Sequence, residues 1–400
     1  MREGWRWFGP KDPVGLDAVR QAGASDIVSA LHGRLPGEAW SPAEVEAHKA
    51  LIENTPPGRT KLRWSVVESI PVPDAIKHRG VAARAAVDSW IASLEAVAGA
   101  GIRIVCYNVM PVVDWTRTDL DWPLPNGATA LRFDHTRFAA FDLCILRRPG
   151  AESDYSDVER DEARRAFERM SEQEIAALSR TIAAGLPGAA TDSLDLEGFR
   201  DSLAAYRGVD SARLRANIVS FLEKVTPIAE ERGVFLTLHP DDPPRPLFGL
   251  PRIASTARDY AALFEAAPSP ANGMCFCTGS LGVRPDNRLA AMARRFASRI
   301  HFAHLRSTLR EADGKSFHEA EHLRGDVDMV AVMRVLLRES ASRPSDRAIV
   351  FRPDHGHRML DDLHRPVNPG YSAIGRLKGL AELRGLAHAL SQPAGKFARH

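Results

Sequence analysis

Four side chains with metal-binding chemistry stand at the ends of short apolar runs in the second half of the sequence: His239, Cys277, His304 and Asp354. Two imidazoles, a thiolate and a carboxylate form a mixed donor set with a formal charge of about −2, which a divalent cation would balance. This set is compatible with Fe²⁺, Mn²⁺ or Zn²⁺. Because 14 histidines place some imidazoles near strand ends by chance, the hypothesis depends on the joint placement. We call these residues the four candidate ligands.

The apolar runs belong to a series of eight segments that predict β-strands. The predicted strands are Trp5–Gly9, Ile27–His32, Leu62–Glu68, Ile102–Met110, Val234–His239, Met274–Thr278, Ile300–His304 and Ile349–Arg352. Amphipathic stretches such as 81–98 and 212–232 separate most of them, which is the pattern of repeated βα units with a parallel sheet. Eight such units predict an α/β fold, a closed (β/α)₈ TIM barrel. Active sites lie at the C-terminal ends of the strands in such barrels, so we expect the four candidate ligands to converge.

The regular spacing is interrupted once, between the fourth and fifth predicted strands. Residues 112–209 are too many for one connecting helix and predict an inserted, mainly helical segment, whose role as lid, oligomer contact or surface excursion stays open. Within it, the pattern from Ser171 to Glu174 is a capping box, which predicts a helix that runs to Gly185 with Pro187 beyond it. We predict one barrel domain over residues 1–390 that contains this insertion, followed by a frayed tail over 391–400.

Composition favours a globular protein that acts on a small molecule. The 53 Lys and Arg residues nearly balance the 51 Asp and Glu residues, without a long run of one sign, so neither a nucleic-acid partner nor a membrane surface is expected. No stretch of about 18 apolar residues predicts a membrane span, and no secretory leader is evident. Four cysteines are too few for a disulfide framework, so we expect a cytoplasmic protein. Among them, Cys106, Cys144 and Cys275 are interpreted as small buried core residues.

A competing motif lies between the seventh and eighth predicted strands. Residues His318 to His322 match H-E-x-x-H, the zinc-binding helix of metalloproteases. That helix must continue over several turns, whereas flanking glycines leave room for about two or three. We therefore predict a loop that overhangs the barrel mouth, where His318, Glu319 or His322 could contact substrate. A charged, solvated turn is an equally open interpretation of this segment.

Several segments that follow the predicted strands closely resemble the D-mannonate dehydratase family. The matching segments are 7–14, 30–32, 238–244, 276–280, 301–306, 316–322, 352–357 and 368–379. The resemblance covers essentially the whole chain and implies a barrel of the xylose-isomerase-like superfamily with one Mn²⁺ or Fe²⁺ per subunit. It further implies dehydration of D-mannonate to 2-dehydro-3-deoxy-D-gluconate in hexuronate breakdown. The metal ligands of the family fall on the four candidate ligands.

The same resemblance implies an acid/base pair close to the metal. His355 and Tyr371 occupy those positions, and the sequence does not decide which of them removes the C2 proton and which protonates the departing hydroxyl. Arginines can hold a substrate carboxylate with two parallel hydrogen bonds. The residues expected to contact the aldonate substrate are His32, Arg306, His318 and Arg352. We also expect a homo-oligomer, with a dimer favoured.

Three other functions stay open at this point. A metal-dependent sugar isomerase or epimerase of the same barrel superfamily would share the ligand layout but would not release water, so a product assay separates the two. An endonuclease on a related barrel would need several zinc ions and a basic groove, which the near-neutral charge disfavours. A sugar-binding barrel without catalysis would bind the ligand and show no turnover.

Overall fold

The computed structural model describes residues 1–184 and 195–392. Twelve β-strands lie in this part of the chain. They are β1 (Arg2–Arg6), β2 (Asp26–Ser29), β3 (Arg63–Glu68), β4 (Ile104–Tyr107), β5 (Asp119–Pro123), β6 (Thr129–Phe133), β7 (Phe235–Leu238), β8 (Asn272–Cys277), β9 (Ile300–Leu305), β10 (Ser307–Arg310), β11 (Phe317–Ala320) and β12 (Val350–Pro353). Eight of these strands close into a parallel barrel in the order β1, β12, β9, β8, β7, β4, β3 and β2. The predicted TIM barrel is therefore confirmed.

Each of the eight predicted strands corresponds to a barrel strand. At the amino terminus the predicted strand, Trp5–Gly9, lies three residues later than β1, which runs from Arg2 to Arg6. Arg2 pairs with Val350 of β12, and Gly4 pairs with Asp26 of β2. Charged residues thus lie in the first positions of β1. The predicted strand starts too late because the apolar pattern begins only at Trp5.

Fourteen α-helices lie in the described residues. They are α1 (Leu16–Ala22), α2 (Pro42–Glu53), α3 (Asp74–Lys77), α4 (Ala83–Gly99), α5 (His135–Ala140), α6 (Asp157–Glu168), α7 (Glu172–Ala184), α8 (Leu196–Ala204), α9 (Ser211–Glu231), α10 (Ala257–Ala266), α11 (Thr278–Gly282), α12 (Leu289–Phe296), α13 (Met329–Ala341) and α14 (Ala373–Ser391). The main apolar core lies between the barrel strands and the surrounding helices, as alternation of side chains along each strand requires. None of these helices is long and apolar enough to cross a membrane.

The insertion is partly β-structure, which the sequence analysis missed. It opens with the hairpin β5 and β6, and β6 pairs with β11 to form an antiparallel sheet in the order β10, β11, β6, β5. Phe133 and Phe317 stack across this sheet with ring centroids 5.7 Å apart. The helices α5 to α8 follow the hairpin, so the mainly helical expectation describes the later part of the insertion.

The first three residues of the metalloprotease-like motif lie in strand β11, which ends at Ala320, so the predicted loop is wrong for them. Glu321 and His322 follow the strand, with His322 in a turn. Phe317 and Glu319 are buried while His318 and Ala320 are half-buried, an alternation that fits a strand with one face toward the protein. A helix would instead bring His318 and His322 onto one face. Because buried and half-buried side chains alternate every two residues here, the structure also excludes the zinc-binding helix of metalloproteases.

The predicted capping box is confirmed. The Ser171 hydroxyl accepts a hydrogen bond from the Glu174 amide at 3.3 Å, and the Glu174 carboxylate accepts one from the Ser171 amide at 2.9 Å. Helix α7 follows these contacts. The predicted stop at Gly185 and Pro187, and residues 393–400 of the predicted tail, lie outside the described residues.

Candidate active site

Three of the four candidate ligands, His239, His304 and Asp354, line a cavity at the C-terminal ends of the barrel strands. Cys277 is fully buried beside His239 and His304. The strands that carry the four candidate ligands, β7, β8, β9 and β12, are neighbours in the barrel. One donor atom each from His239, Cys277 and His304 lies within 4.8 Å of the other two. Such spacing is compatible with three ligands around one cation, because metal–nitrogen and metal–sulfur bonds are about 2.0–2.3 Å long.

Local structure holds Cys277 as a thiolate. The residue ends β8 and caps helix α11, where the Ser280 hydroxyl donates to Sγ at 3.2 Å. Burial alone would raise the pKa of Cys277, but the Arg306 charge and hydrogen bonds from His239 and His304 hold it well below its usual value. An anionic sulfur at this position is the form that binds a metal.

The two imidazoles present their ring nitrogens to the same space. His239 Nδ1 lies 2.7 Å from the Pro240 carbonyl oxygen, which fixes this nitrogen as the donor and leaves Nε2 for another partner. Burial would lower the pKa of His239, but the hydrogen bond and charge of Cys277 raise it to about 10. The buried Nε2 of His304 makes no hydrogen bond within the described part of the chain and faces a Glu68 carboxylate oxygen at 3.5 Å. A buried nitrogen without a hydrogen bond, near a carboxylate, a thiolate and a second imidazole, fits a cation ligand.

Asp354 approaches this cluster from β12 but is held by arginines. Its Oδ2 lies 3.8 Å from His304 Nδ1 and 2.7 Å from Arg306 Nε, and its Oδ1 accepts a hydrogen bond from Arg352. Burial would raise the pKa of Asp354, but Arg352 and the other neighbouring cations keep it well below its usual value. The carboxylate is therefore anionic and adjacent to the cluster, with part of its charge already compensated.

His355 and Tyr371 line the same cavity. Their rings meet edge to face at 5.3 Å, and both are buried. His355 Nδ1 lies 3.0 Å from Glu319 Oε1, so the carboxylate accepts a hydrogen bond from this nitrogen and leaves Nε2 without the proton in the neutral ring. The pKa of Tyr371 is raised by burial and by the Asp354 charge, so its side chain stays a phenol.

Glu319 belongs to a buried network of two carboxylates and two guanidinium groups. Arg117 donates to Asp242 Oδ1 at 2.7 Å and to Glu319 Oε1 at 2.9 Å. Arg306 donates to the same two carboxylates at 2.5 and 2.6 Å. Burial would raise the pKa of Glu319, but Arg306, His355 and Arg117 lower it below its usual value. The charge that faces His355 is therefore permanent.

The predicted substrate contacts divide into two groups. Arg306 and Arg352 line the cavity, but their donors face the carboxylates Asp242, Glu319, Asp354 and Glu68. His318 and His32 are not among the cavity-lining residues. His318 lies on β11 with Nδ1 3.3 Å from a Glu311 oxygen. His32 packs against Phe8, whose ring in turn meets Tyr371.

Sequence reasoning missed several residues that line or support the cavity. Glu68 ends β3, with Oε2 3.5 Å from His304 Nε2, and examination of the first four strand ends would have found it. Trp115, whose ring lies 5.7 Å from that of His355, comes from the insertion and carried no recognisable signal. The importance of Glu319 as the partner of His355 depends on the pairing of β10 and β11, which the sequence did not predict.

Comparison with known proteins gives consistent results. The sequence profile of D-mannonate dehydratase (UxuA) matches residues 1–396. Mannonate dehydratase of Brucella melitensis is 62% identical over 390 residues, which cover 98% of this chain and 97% of the relative. Mannonate dehydratase of Chromohalobacter salexigens is 54% identical over 396 residues, which cover 98% and 100% respectively.

Solved structures show the same relationship at the level of the fold. The crystal structure of mannonate dehydratase from Streptococcus suis serotype 2 has a TM-score of 0.75 and 31% identity, covering 99% of this chain and 96% of that one. A xylose isomerase-like TIM barrel protein from Mycobacterium smegmatis has a TM-score of 0.51 and 13% identity, with 98% and 97% covered. The latter shows only a shared barrel fold.

Proposed function

The chain belongs to the D-mannonate dehydratase family and is accordingly a hydro-lyase, and we propose that it removes water from D-mannonate through His355 and Tyr371 beside a divalent cation. The product is 2-dehydro-3-deoxy-D-gluconate. The observation that carries the residue assignment is that a carboxylate-bound imidazole and a phenol line the same cavity as the two imidazoles of a metal-type donor cluster. The alternative of an isomerase or epimerase is not favoured by relatives at 62% identity.

The cation is assigned to the four candidate ligands. His239, Cys277 and His304 form the cluster, and Asp354 completes it from the neighbouring strand. When bound, the cation acts as a Lewis acid that stabilises the negative charge developing on the substrate after proton removal. Arg306 and Arg352 orient the Asp354 carboxylate, and their place in the cavity wall makes them candidates for substrate contact as well.

His355 is assigned as the base and Tyr371 as the acid. Because Glu319 accepts from Nδ1, the free electron pair of the neutral imidazole lies on Nε2, which removes the proton from C2. The Tyr371 hydroxyl then donates its proton to the C3 hydroxyl, and the C3–O bond breaks to release water. The enol that remains becomes the 2-keto acid by losing the proton of its C2 hydroxyl and accepting a proton at C3. Transfer of the first proton to Tyr371 and of the second from His355 returns both side chains to their starting states. Glu319 stabilises the imidazolium formed in the first step.

Turnover of D-mannonate tests the proposal. Metal-free enzyme is loaded under anaerobic conditions with Mn²⁺ or Fe²⁺, and the 2-keto-3-deoxy acid is measured. Equal consumption without a deoxy product would indicate an isomerase or epimerase. The His355→Asn variant tests the assignment of His355 as the base. An inactive variant that keeps its fold and its metal supports the assignment, whereas an active variant would contradict it.

Three further features complete the proposal. Either Mn²⁺ or Fe²⁺ is the native ion, at one per subunit, and metal analysis after aerobic and anaerobic purification separates the two. We also propose a cytoplasmic location, because four cysteines in 400 residues are too few for a disulfide framework. Homodimer formation is tested by sedimentation velocity.

A further inference from the structure

A second group of soft metal donors lies inside the barrel, adjacent to the proposed catalytic cluster. It consists of Cys106 on β4, Cys275 on β8 and His304 on β9, and one donor atom from each lies within 4.8 Å of the other two. All three side chains are buried. The proposed dehydration uses His304 but has no use for either thiol.

The two sulfurs are neighbours, but the barrel keeps them from forming a disulfide. Their sulfur atoms lie within 4.8 Å of each other, and both cysteines are free. Strand β7 lies between β4 and β8. Cys106 is level with Thr237 of β7 and Gly273 of β8, so Cys275 lies two strands away and two residues further along. Together these offsets place the two Cα atoms about 10 Å apart across the curved barrel. A disulfide needs Cα atoms closer than about 7 Å. A bridging cation removes this limit, because it holds two sulfurs in contact without bonding them together.

We propose that Cys106, Cys275 and His304 form a second, inhibitory site for a soft thiophilic cation of the Zn²⁺ or Cd²⁺ class. Thiolate and imidazole are the ligands that such ions prefer over carboxylate and water. Each ion that binds releases two thiol protons, so two thiolate charges balance the dication. That neutrality matters here, because apolar side chains surround the thiols within the barrel: Val28, Val66, Ile104, Phe302 and Val350.

The ion can reach this site from the catalytic cavity. Cys106 belongs to the cavity wall, together with His239 and His304. The approaching ion therefore passes the catalytic cluster before it meets the paired thiols. Cys275, which is fully buried in the same barrel layer, supplies the second sulfur.

Inhibition follows from the shared imidazole. A soft cation bound to His304 withdraws this ligand from the catalytic cation, so the loss of activity does not depend on competition with the aldonate. This consequence rests on the proposed function, whereas the existence of the site does not. Binding and inhibition are accordingly measured separately.

X-ray absorption at the cadmium edge counts the sulfur neighbours of a bound ion and tests the site directly. One equivalent of Cd²⁺ is added to the reduced, Mn²⁺-loaded enzyme. Two sulfur neighbours are expected for the wild type. They fall to one or none in Cys106→Ser and in Cys275→Ser. A single sulfur in the wild type would assign the ion to Cys277 and overturn the proposal.

Matched variants distinguish a failure of the second cation site from a failure of the proposed catalytic ligand assignment. Cys277→Ser is expected to lose Mn²⁺ and to keep two sulfurs around cadmium, while Cys144→Ser, which changes a half-buried thiol of the insertion, leaves both measurements unchanged. If Cys275→Ser fails to fold, as judged by circular dichroism, Cys275→Ala replaces it. Cd²⁺ that inhibits Cys106→Ser as strongly as the wild type would contradict the inhibitory role.

Discussion

Replacing Glu319 with glutamine removes the negative charge that faces the proposed base while leaving an oxygen that can accept from His355 Nδ1. The carboxylate oxygen lies 3.0 Å from that nitrogen. At an effective dielectric constant of about 20, a unit charge at this distance stabilises an imidazolium by about 5 kcal/mol. Arg117 and Arg306 donate to the same oxygen and cancel part of this attraction. A remaining contribution of about 2–4 kcal/mol corresponds to a decrease in kcat of about 30- to 1000-fold.

The assay is steady-state formation of the 2-keto-3-deoxy acid by Glu319→Gln, with metal content measured on the same sample. We expect kcat to fall much more than KM changes, because the imidazolium forms only as the proton is transferred. Glu321→Gln is the matched control, since Glu321 pairs with Lys378 at the surface of the same segment. Unchanged kcat in a folded, metal-loaded Glu319→Gln enzyme would refute the reasoning, and so would a loss of rate fully explained by lost metal.

Three further outcomes are expected. Cys277→Ser weakens retention of the divalent cation during dialysis against a chelator while thermal unfolding of the metal-free protein changes little; metal content equal to that of wild type would contradict the ligand assignment. Tyr371→Phe keeps the ring contacts with Phe8 and His355 but removes the acid, so kcat falls about 100-fold or more, and a rate near that of the wild type would leave Tyr371 without its role. Burial lowers the pKa of His48 to about 4, so the folded protein binds a proton at this imidazole less readily than the unfolded chain does. The contribution of His48 to the free energy of unfolding is therefore fully present above about pH 6.5 and declines toward pH 4. His48→Gln should flatten the urea-unfolding free energy across this range, and an unchanged pH dependence would refute this origin.

The barrel and the candidate metal cluster were predictable because both depend on local pattern. A strand of a parallel barrel is buried on both faces, so its sequence is a short apolar run. The first polar side chain after the run lies at the C-terminal end of the strand, as His239 does after β7. The strand positions, together with the rule that barrel sites lie at one end, are therefore enough to predict such residues. Cys277 and His304 follow from the same rule.

The partners of the proposed catalytic side chains were not predictable, because they depend on pairings remote in sequence. The contact between Glu319 and His355 joins residues separated by 36 positions. It requires β11 to pair with β10 and with the hairpin of the insertion. The motif around Glu319 satisfies a helical pattern as well as an alternating one, so local propensity alone could not choose. Packing of Phe317 against Phe133 decides in favour of the strand.

The barrel geometry also explains why two clusters of soft donors occur together. Side chains alternate along a strand, so Cys275 and Cys277 point to the same side of β8 and lie in successive layers of the barrel. The upper layer meets His239 and His304 at the mouth, and the lower layer meets Cys106 inside. A strand that supplies a thiolate to the mouth therefore brings a second thiol beneath it, within reach of the same imidazole. Replacing Cys275 with an apolar residue of similar size should accordingly make the enzyme more resistant to thiophilic cations without removing the thiolate from the catalytic cluster.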